Sequence, residues 1–271
     1  MEMPPMIYGT AWKKERTEEL VYQALSAGFR AIDTACQPKH YNEKLVGAAI
    51  TRFLDTGIDR SQILIQTKFT SERGQDPTSI PYDPKASLSE QVQSSFEVSL
   101  KNLNTDYLDS WVLHGPLDTF AETMEVWRAM EEIYQQKIVK QLGISNCYDV
   151  DYFRRLLMEA KIKPAVIQNR FYHQSGYDVE IRKECRQRGI GYQSFWTLTA
   201  NPHILSNPSL TAVSRRLGKT PEQIFFCYLI AKGITPLTGT TDLNHMTEDL
   251  DVFQFELSSD DVAALDCLVP H

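Results

Sequence analysis

The sequence alternates short segments rich in β-branched residues with longer amphipathic segments along its 271 residues, and this rhythm constrains the fold more than any other feature. Such alternation is typical of βα units around a parallel sheet. The segments with strand character number eight, and they are 6–11, 30–35, 63–69, 107–114, 139–145, 164–171, 191–196 and 234–239. Eight units in a chain of this length favour the α/β class and a closed (β/α)8 (TIM) barrel, with residues 1–271 as one domain.

The amphipathic segments end where the helices of a barrel should end. Glycines, which accept the left-handed conformation after a helix, stand at those places, and they are Gly28, Gly57, Gly189, Gly218 and Gly233. A doubly wound open sheet would instead carry a GxGxxG turn after an early strand, which this sequence lacks. The longest connection, 70–86, follows the third strand, and its length predicts a functional or mobile loop.

Composition and charge narrow the class of partner. The net charge of −7, with no long block of Lys or Arg, argues against nucleic acid or an anionic membrane and favours a small molecule. No apolar run reaches a membrane span, and the start has no signal or transit pattern, so we expect a cytoplasmic protein. The sequence has no obvious coiled coil or repeated interface motif, and we expect a monomer or weak dimer. The five Cys and six His have no ligand spacing, so we expect reduced core thiols and no metal site.

Three ionisable residues stand at the ends of neighbouring strands, which is where a TIM barrel carries its chemistry. Asp33 ends the second strand, Lys68 the third and His114 the fourth. Each alone also has a structural explanation: a capping acid, a lysine that reaches the surface, and a satisfied buried imidazole. Their positions at neighbouring strand ends predict that they converge on one site.

An acid, a lysine, a histidine and a nearby phenol suit the reduction of a carbonyl by hydride transfer. The developing alkoxide needs a proton donor, and a free Tyr has a pKa of about 10. A buried Lys68 beside Tyr41 is expected to lower the pKa of the phenol, with Asp33 holding the lysine in place. His114 would orient the carbonyl oxygen. Tyr41 supplies the phenol if its loop folds back over the barrel mouth.

Several motifs occur in one order along the chain: GTA, IDTA…NE…VG, QTK, DSWVLH, LGISN, PAVIQN and PLTGTT…EDLDVFQFELS. On these motifs, over nearly its whole length, the sequence resembles the aldo-keto reductase superfamily. The resemblance implies an oxidoreductase that reduces a carbonyl, with NADPH as cofactor and NADH as the alternative. It also implies a catalytic set of Asp33, Tyr41, Lys68 and His114.

The resemblance further implies that Ser145, Asn146 and Gln168 hold the nicotinamide carboxamide, although a helix cap and a strand-end hydrogen bond would also explain these residues. The other cofactor contacts that it implies are Thr10, Ser194, Thr197, Gly239, Thr240, Thr241, His245 and Glu248. The superfamily's Lys-Ser…Arg contact to the 2′-phosphate is missing. In its place a Gly-Thr-Thr turn, 239–241, offers amides and hydroxyls to a phosphate, or is an ordinary strand-to-helix turn.

The loop before Asn42 departs from the superfamily's pattern, because it is two residues longer than usual. Counting back from Asn42 puts His40, not Tyr41, at the position of the catalytic Tyr. We favour Tyr41, since a His beside Lys68 should lose its proton and donate poorly. The alternatives are His40 as the donor and a mobile loop without a catalytic residue.

The aromatic residues of the site also depart from the pattern. Gln193 aligns with the Tyr that stacks on the nicotinamide, so Tyr192, Trp196 or Phe171 must take that place. Ala11 and Gly115 stand where Trp is common, and Trp12, His40 and Trp196 are the expected substrate contacts. We also expect the fold to lack the superfamily's N-terminal hairpin and its long C-terminal tail. We therefore expect a wide site for a bulky aldehyde or ketone, or one closed by the 70–86 loop.

Three functions are consistent with these residues. The leading hypothesis is an NADPH-dependent reductase of a bulky carbonyl compound. The second is a barrel enzyme without redox chemistry, such as an isomerase, dehydratase or cyclase. The third is a regulatory protein that binds a nicotinamide nucleotide without turnover.

Overall fold

The computed structural model describes residues 4–270, and in this range eight strands form a closed barrel. Each strand is parallel to the next, and β8 closes the barrel by pairing with β1. The strands are β1 Ile7–Gly9, β2 Ala31–Asp33, β3 Leu64–Phe69, β4 Ser110–Leu113, β5 Leu142–Ser145, β6 Val166–Arg170, β7 Gly191–Phe195 and β8 Ile234–Thr238. The predicted (β/α)8 barrel is confirmed, and each predicted strand contains an observed one. The predicted segments were longer because they included residues that flank the strands on either side, such as 107–109 before β4 and 139–141 before β5.

The helices lie outside the barrel. Within residues 4–270 they are α1 Thr17–Ala27, α2 Glu43–Leu54, α3 Leu88–Leu103, α4 Phe120–Gln135, α5 Val150–Glu159, α6 Val179–Arg188, α7 Pro202–Leu205, α8 Pro208–Leu217, α9 Pro221–Ala231, α10 Leu243–Asp251 and α11 Ser259–Leu265. Gly189 and Gly218 end α6 and α8 in the left-handed conformation, as predicted. Asn42 caps α2, because its side chain accepts a hydrogen bond from the Leu45 amide at 3.1 Å.

The inside of the barrel has an apolar layer below a polar one. Ile7, Ala31 and Leu64 form a small buried cluster of their own, against which Leu237 packs. Asp33 lies two residues beyond Ala31 on β2, and Gln66 two beyond Leu64 on β3, so both face inward one step nearer the carboxyl ends of the strands. This order of layers aims polar groups at the end of the barrel where sites form.

Two expectations from the sequence concern membrane-spanning helices and the cysteine thiols. Among the described residues, no helix is long and apolar enough to cross a membrane. Four thiols are free and buried, as expected, at Cys36, Cys147, Cys185 and Cys227. Cys267 is free but exposed, so its assignment to the core was wrong, because it lies on the surface just after α11.

Candidate active site

Asp33 and Lys68 form an ion pair at the mouth of the barrel. The Lys68 ammonium donates to Asp33 Oδ1 at 2.7 Å and Oδ2 at 2.6 Å, and to the carbonyl of Thr34 at 2.8 Å. The side chains are only 1% and 3% exposed. Burial lowers the pKa of Lys68, and the charge of Asp33 offsets part of this effect. Lys68 therefore does not reach the surface, and the structural explanation by snorkelling does not apply.

Side-chain amides hold Asp33 from within the barrel. Gln66 Nε2 and Gln168 Nε2 both donate to Asp33 Oδ1, at 2.8 and 3.0 Å. The same two amides donate to Gln193 Oε1, at 2.8 and 3.0 Å. Gln193 is thus part of the barrel interior, 1% exposed. Gln66 and Gln193 were not identified from the sequence as part of this network, although both sit at inward-facing positions of their strands.

Tyr41 lies beside the ion pair. The centre of its ring is 5.4 Å from Lys68 Nζ and 6.0 Å from the centre of the His114 ring. The loop that carries Tyr41 therefore folds over the barrel mouth, which was the condition for its role as the phenol. The His40 ring instead stacks on Trp12 with centres 3.8 Å apart, and its Nδ1 is buried without a hydrogen-bond partner.

The pKa of Tyr41 departs from the sequence expectation. Burial, and next the negative charge of Asp33, raise the pKa of the phenol instead of lowering it. The expected lowering counted the charge of Lys68 but neither the burial of the phenol nor the charge of Asp33, whose carboxylate compensates the ammonium that it binds. Tyr41 consequently carries its proton at neutral pH in the protein without ligands.

His114 is held by a residue that sequence reasoning missed. Its Nδ1 lies 2.6 Å from the hydroxyl of Thr70, which directly follows β3. Burial, and next the charges of Lys68 and His40, lower the pKa of His114 to about 3. The imidazole is therefore neutral at physiological pH. A hydroxyl one residue after a strand was the only sequence signal for Thr70.

These groups open into one cleft with a volume of about 1060 Å³. The predicted site residues on its wall are Asp33, Tyr41, His114, Ser145, Asn146, Gln168, Thr197, Gly239, Thr240, His245, Glu248, Trp12, His40 and Trp196. Three predicted cofactor residues are not on that wall. Thr10 is buried and donates to the Asp33 carbonyl, Ser194 is buried against Thr197, and Thr241 is exposed in the turn after β8. Lys68 does not line the cleft itself, but it donates a hydrogen bond to Asp33, which does.

The aromatic residue beside the cleft at β7 is Phe195, which the sequence reading missed. Side chains alternate along a strand, so Phe195 shares the inward face with Gln193, whereas Tyr192 points outward. The Tyr192 hydroxyl donates to Asp178 at 2.9 Å, and Phe171 is fully buried in the core. The suggestions of Tyr192 and Phe171 for stacking were therefore wrong. Trp196, 49% exposed, remains on the cleft wall.

The far end of the cleft is acidic. Glu222, Glu248 and Asp249 line it near the turn that follows β8. Burial, opposed by the hydrogen bond from Thr238 and aided by the charges of Glu248 and Glu222, raises the pKa of Asp249 to about 6. Lys13 is nearby, but its ammonium donates to the Gly239 carbonyl at 2.7 Å.

The 70–86 loop packs beside the cleft and does not cover it. The Tyr82 ring lies against Phe69, and its hydroxyl donates to the Thr70 carbonyl at 2.7 Å. Gln75 Nε2 ties the loop to the carbonyl of Cys36 at 2.9 Å. Among the residues that line the cleft in the described part of the chain, none comes from this loop. Of the two expectations, the open site is the one that the structure supports.

Comparison with known proteins identifies the family. A family model described as the Aldo/keto reductase family matches residues 5–270. The chain belongs to this family. A glyoxal reductase of Bacillus subtilis (strain 168) is 30% identical over 251 residues, which are 92% of this chain and 82% of that protein. The resemblance that the motifs indicated is confirmed.

Solved structures of aldo-keto reductases have the same fold. MGS-M4, from a Medee basin deep-sea metagenome library, superposes with a TM-score of 0.83 at 28% identity, covering 99% of this chain and 92% of that one. An aldo/keto reductase from Brucella melitensis gives a TM-score of 0.81 at 28% identity, covering 98% and 95%.

The residues of this aldo-keto reductase fit a nicotinamide nucleotide. Three polar side chains lie on the cleft wall, where a carboxamide would find donors and acceptors: Ser145 ends β5, Asn146 follows it, and Gln168 lies within β6. They are held in place: Ser145 Oγ donates to the Gln168 carbonyl at 2.6 Å, and Asn146 Nδ2 to the His114 carbonyl at 2.8 Å. Phe195 offers an apolar ring at the neighbouring strand end. Among residues 4–270, no cluster of three His, Cys, Asp or Glu suited to a metal is found.

Proposed function

We propose that this protein reduces an aldehyde or ketone of a bulky organic substrate to the alcohol, with NADPH as the hydride donor and Tyr41 as the proton donor. The observation that carries the proposal is the position of the Tyr41 phenol beside the buried Asp33–Lys68 pair, with a neutral His114 on the same cleft wall. When bound, the nicotinamide nucleotide supplies the hydride to the carbonyl carbon.

The proton comes from the protein. The raised pKa of Tyr41 keeps the phenol protonated at neutral pH, so that it is ready to donate. An alkoxide is a much stronger base than a phenolate, so the transfer to the developing alkoxide is favourable even from a phenol of raised pKa. The O–H bond of Tyr41 breaks as that of the alcohol forms, and the phenolate regains a proton from water after the product leaves. The Lys68 ammonium lies 5.4 Å from the centre of the Tyr41 ring, so its attraction for the phenolate offsets part of the cost that burial and the Asp33 charge impose.

His114 would position the substrate oxygen. Because its pKa lies at about 3, the ring is neutral and carries a single proton. If Nδ1 accepts the hydrogen bond from the Thr70 hydroxyl, that proton is on Nε2, which is then a donor for the carbonyl oxygen. In that arrangement the contact with Thr70 fixes the tautomer as well as the orientation of the ring.

The size of the cleft supports a bulky substrate. Its volume of about 1060 Å³ lies at the upper end of the range typical of small-molecule sites. Two exposed indoles flank it, with Trp12 61% and Trp196 49% exposed. The related glyoxal reductase is named for a small dialdehyde, so a small aldehyde belongs in the same substrate panel.

Family membership supports a nicotinamide nucleotide, and we infer NADPH as the form used. The amides and hydroxyls of the Gly239–Thr240 turn, together with His245, lie where a phosphate would be bound. The negative charges of Glu222 and Glu248 repel a 2′-phosphate and weaken its binding. We therefore expect NADPH to bind less tightly than it would in a site with Lys and Arg at these positions.

The decisive experiment combines binding with turnover. Calorimetric titration of the purified protein with NADPH, and of a fresh sample with NADH, gives the two affinities. Oxidation of the bound nucleotide is then followed at 340 nm with a panel running from glyoxal to aromatic aldehydes and bulky ketones. Nucleotide binding together with reduction of at least one carbonyl supports the proposal. Conversion without a change in the nucleotide would favour the non-redox enzyme, and binding without turnover across the panel would favour the regulatory protein.

A further inference from the structure

Arg170, at the carboxyl end of β6, is a cation in the cleft that the reduction itself does not use. Among the cleft-lining residues in the described part of the chain, it is the one Lys or Arg. Across residues 4–270, no carboxylate forms an ion pair with it. Its Nε is buried and has no hydrogen-bond partner. A buried donor on a charged group is costly to leave unpaired, which indicates a missing acceptor.

Aromatic rings hold the guanidinium in place. It lies 4.1 Å from the centre of the Trp196 ring and 5.3 Å from that of Tyr172. The backbone below it is also fixed, since the Arg170 amide donates to the Tyr148 hydroxyl at 3.1 Å, and that hydroxyl donates to Asn146 Oδ1 at 3.1 Å. A stacked guanidinium keeps its planar set of donors available and loses little conformational freedom when it binds an anion.

The position of Arg170 separates it from the predicted phosphate site. Its Cα pairs with that of Phe195 across the β6–β7 ladder, while the Gly239–Thr240 turn follows β8, on the opposite side of β7. A second cavity, of about 530 Å³, adjoins Arg170 on the side of Tyr172 and His173. An anion at Arg170 would therefore lie at the opposite side of the nicotinamide pocket from the phosphates of a cofactor.

We propose that the carbonyl substrate carries a carboxylate, which pairs with Arg170 between Trp196 and Tyr172 while the carbonyl reaches Tyr41 and His114. This inference rests on the proposed reduction and specifies the class of substrate. A carboxylate matches the planar donors of the guanidinium, and the two rings suit an aromatic or apolar body next to it.

The test compares two aldehydes that differ only in charge, 4-carboxybenzaldehyde and its methyl ester. The variants are Arg170→Met, which removes the charge and the donors, and Arg170→Lys, which keeps the charge only. Arg155→Met is the matched control, because Arg155 also stacks on an aromatic ring, 3.9 Å from the centre of Phe120, but on an outer helix. The readouts are kcat/KM for both aldehydes, the NADPH dissociation constant, and calorimetric binding of benzoate in the presence of NADP+.

We expect Arg170→Met to lower the ratio of kcat/KM for the acid over the ester by about 10-fold or more, Arg170→Lys to lower it less, and Arg155→Met to leave it unchanged. Weaker NADPH binding with an unchanged ratio would assign Arg170 to the cofactor's phosphates and overturn the inference. An unchanged ratio with unchanged NADPH binding would overturn it as well. If neither aldehyde is reduced, benzoate binding that depends on Arg170 would uphold the anion site while the proposed reduction fails, and no such binding would reject both.

Discussion

Both carboxylate oxygens of Asp33 accept hydrogen bonds from the Lys68 ammonium, at 2.6 and 2.7 Å, in a part of the barrel that excludes water. Removing two charges from water is costly, and the cost is met only when each charge keeps its partner and its other hydrogen bonds. Gln66 and Gln168 donate those bonds to Asp33, and the Thr34 carbonyl accepts one from Lys68. The pair beside Tyr41 is therefore a unit whose members cannot be removed singly without loss of stability.

Lys68→Met should destabilise the fold as well as the reaction. It leaves the Asp33 carboxylate buried without its cation, which we expect to lower the free energy of unfolding by about 3–5 kcal/mol. Chemical denaturation measures that change. Asp33→Asn combined with Lys68→Met removes both charges, and it should recover a substantial part of the stability but not the turnover. A double variant that is less stable than Lys68→Met would contradict this account.

Tyr41→Phe should remove the proton donor and leave the cleft nearly unchanged in shape. We expect turnover to fall by about 100-fold to 10,000-fold, with nucleotide affinity retained. His40→Gln is the matched comparison, because the His40 ring stacks on Trp12 and is expected to affect substrate affinity more than turnover. If turnover survives Tyr41→Phe and disappears with His40→Gln, the two assignments must be exchanged.

Thr70→Val should disturb the orientation of His114, although Thr70 itself does not line the cleft. The hydroxyl that lies 2.6 Å from His114 Nδ1 is lost while the shape of the side chain is kept, so the ring loses its fixed tautomer and orientation. We expect kcat to fall by about 10-fold to 100-fold with a smaller change in KM. Thr70→Ser keeps the hydroxyl and should restore most of the rate. Equal losses in both variants would show that Thr70 serves packing alone.

The pH dependence of kcat should be flat between pH 6 and pH 9 at saturating nucleotide and substrate. Burial lowers the pKa of His114 to about 3, so the ring stays neutral throughout this range. Burial raises the pKa of Tyr41, so the phenol stays protonated up to the alkaline limit. Initial rates in buffers of constant ionic strength test this. A decline on the acid side with a midpoint near pH 6.5, the ordinary pKa of His, would contradict this account. It would mean that the reaction needs a neutral imidazole whose pKa is not lowered by burial as that of His114 is.

The architecture and three of the central residues were predictable because local sequence encodes them. Strand and helix periods locate eight βα units, and the end of a strand is readable to within one or two residues. Asp33 ends β2, Lys68 is the last residue but one of β3 and His114 directly follows β4, so the closed barrel brings the three together.

Other parts of the site depend on information that the sequence does not carry locally. The orientation of Tyr41 is set by a loop two residues longer than the family pattern, so counting positions could not decide between it and His40. Tyr192 was one of the residues predicted to stack on the nicotinamide, but Phe195 lies beside the cleft instead. Side chains alternate along β7, so Tyr192, one residue from the inward-facing Gln193, points outward. The pKa of Tyr41 depends on the burial of the phenol and on the charge of Asp33 beside it, which only the three-dimensional structure reveals.

The acidic end of the cleft gives a prediction about nucleotide choice. Glu222 and Glu248 line the region predicted to hold the 2′-phosphate, and two negative charges repel it. Glu222→Gln and Glu248→Gln should each tighten NADPH by about threefold to tenfold relative to NADH, because NADH has a hydroxyl in place of that phosphate. Calorimetry at pH 8 is suitable, since Asp249, with a pKa of about 6, is then ionised in every variant.

Glu125→Gln, on the exposed surface of α4, is the control and should leave the ratio unchanged. If neither cleft variant shifts the ratio, the 2′ position of the nucleotide lies away from these carboxylates, and the assignment of the Gly239–Thr240 turn to the phosphate is wrong.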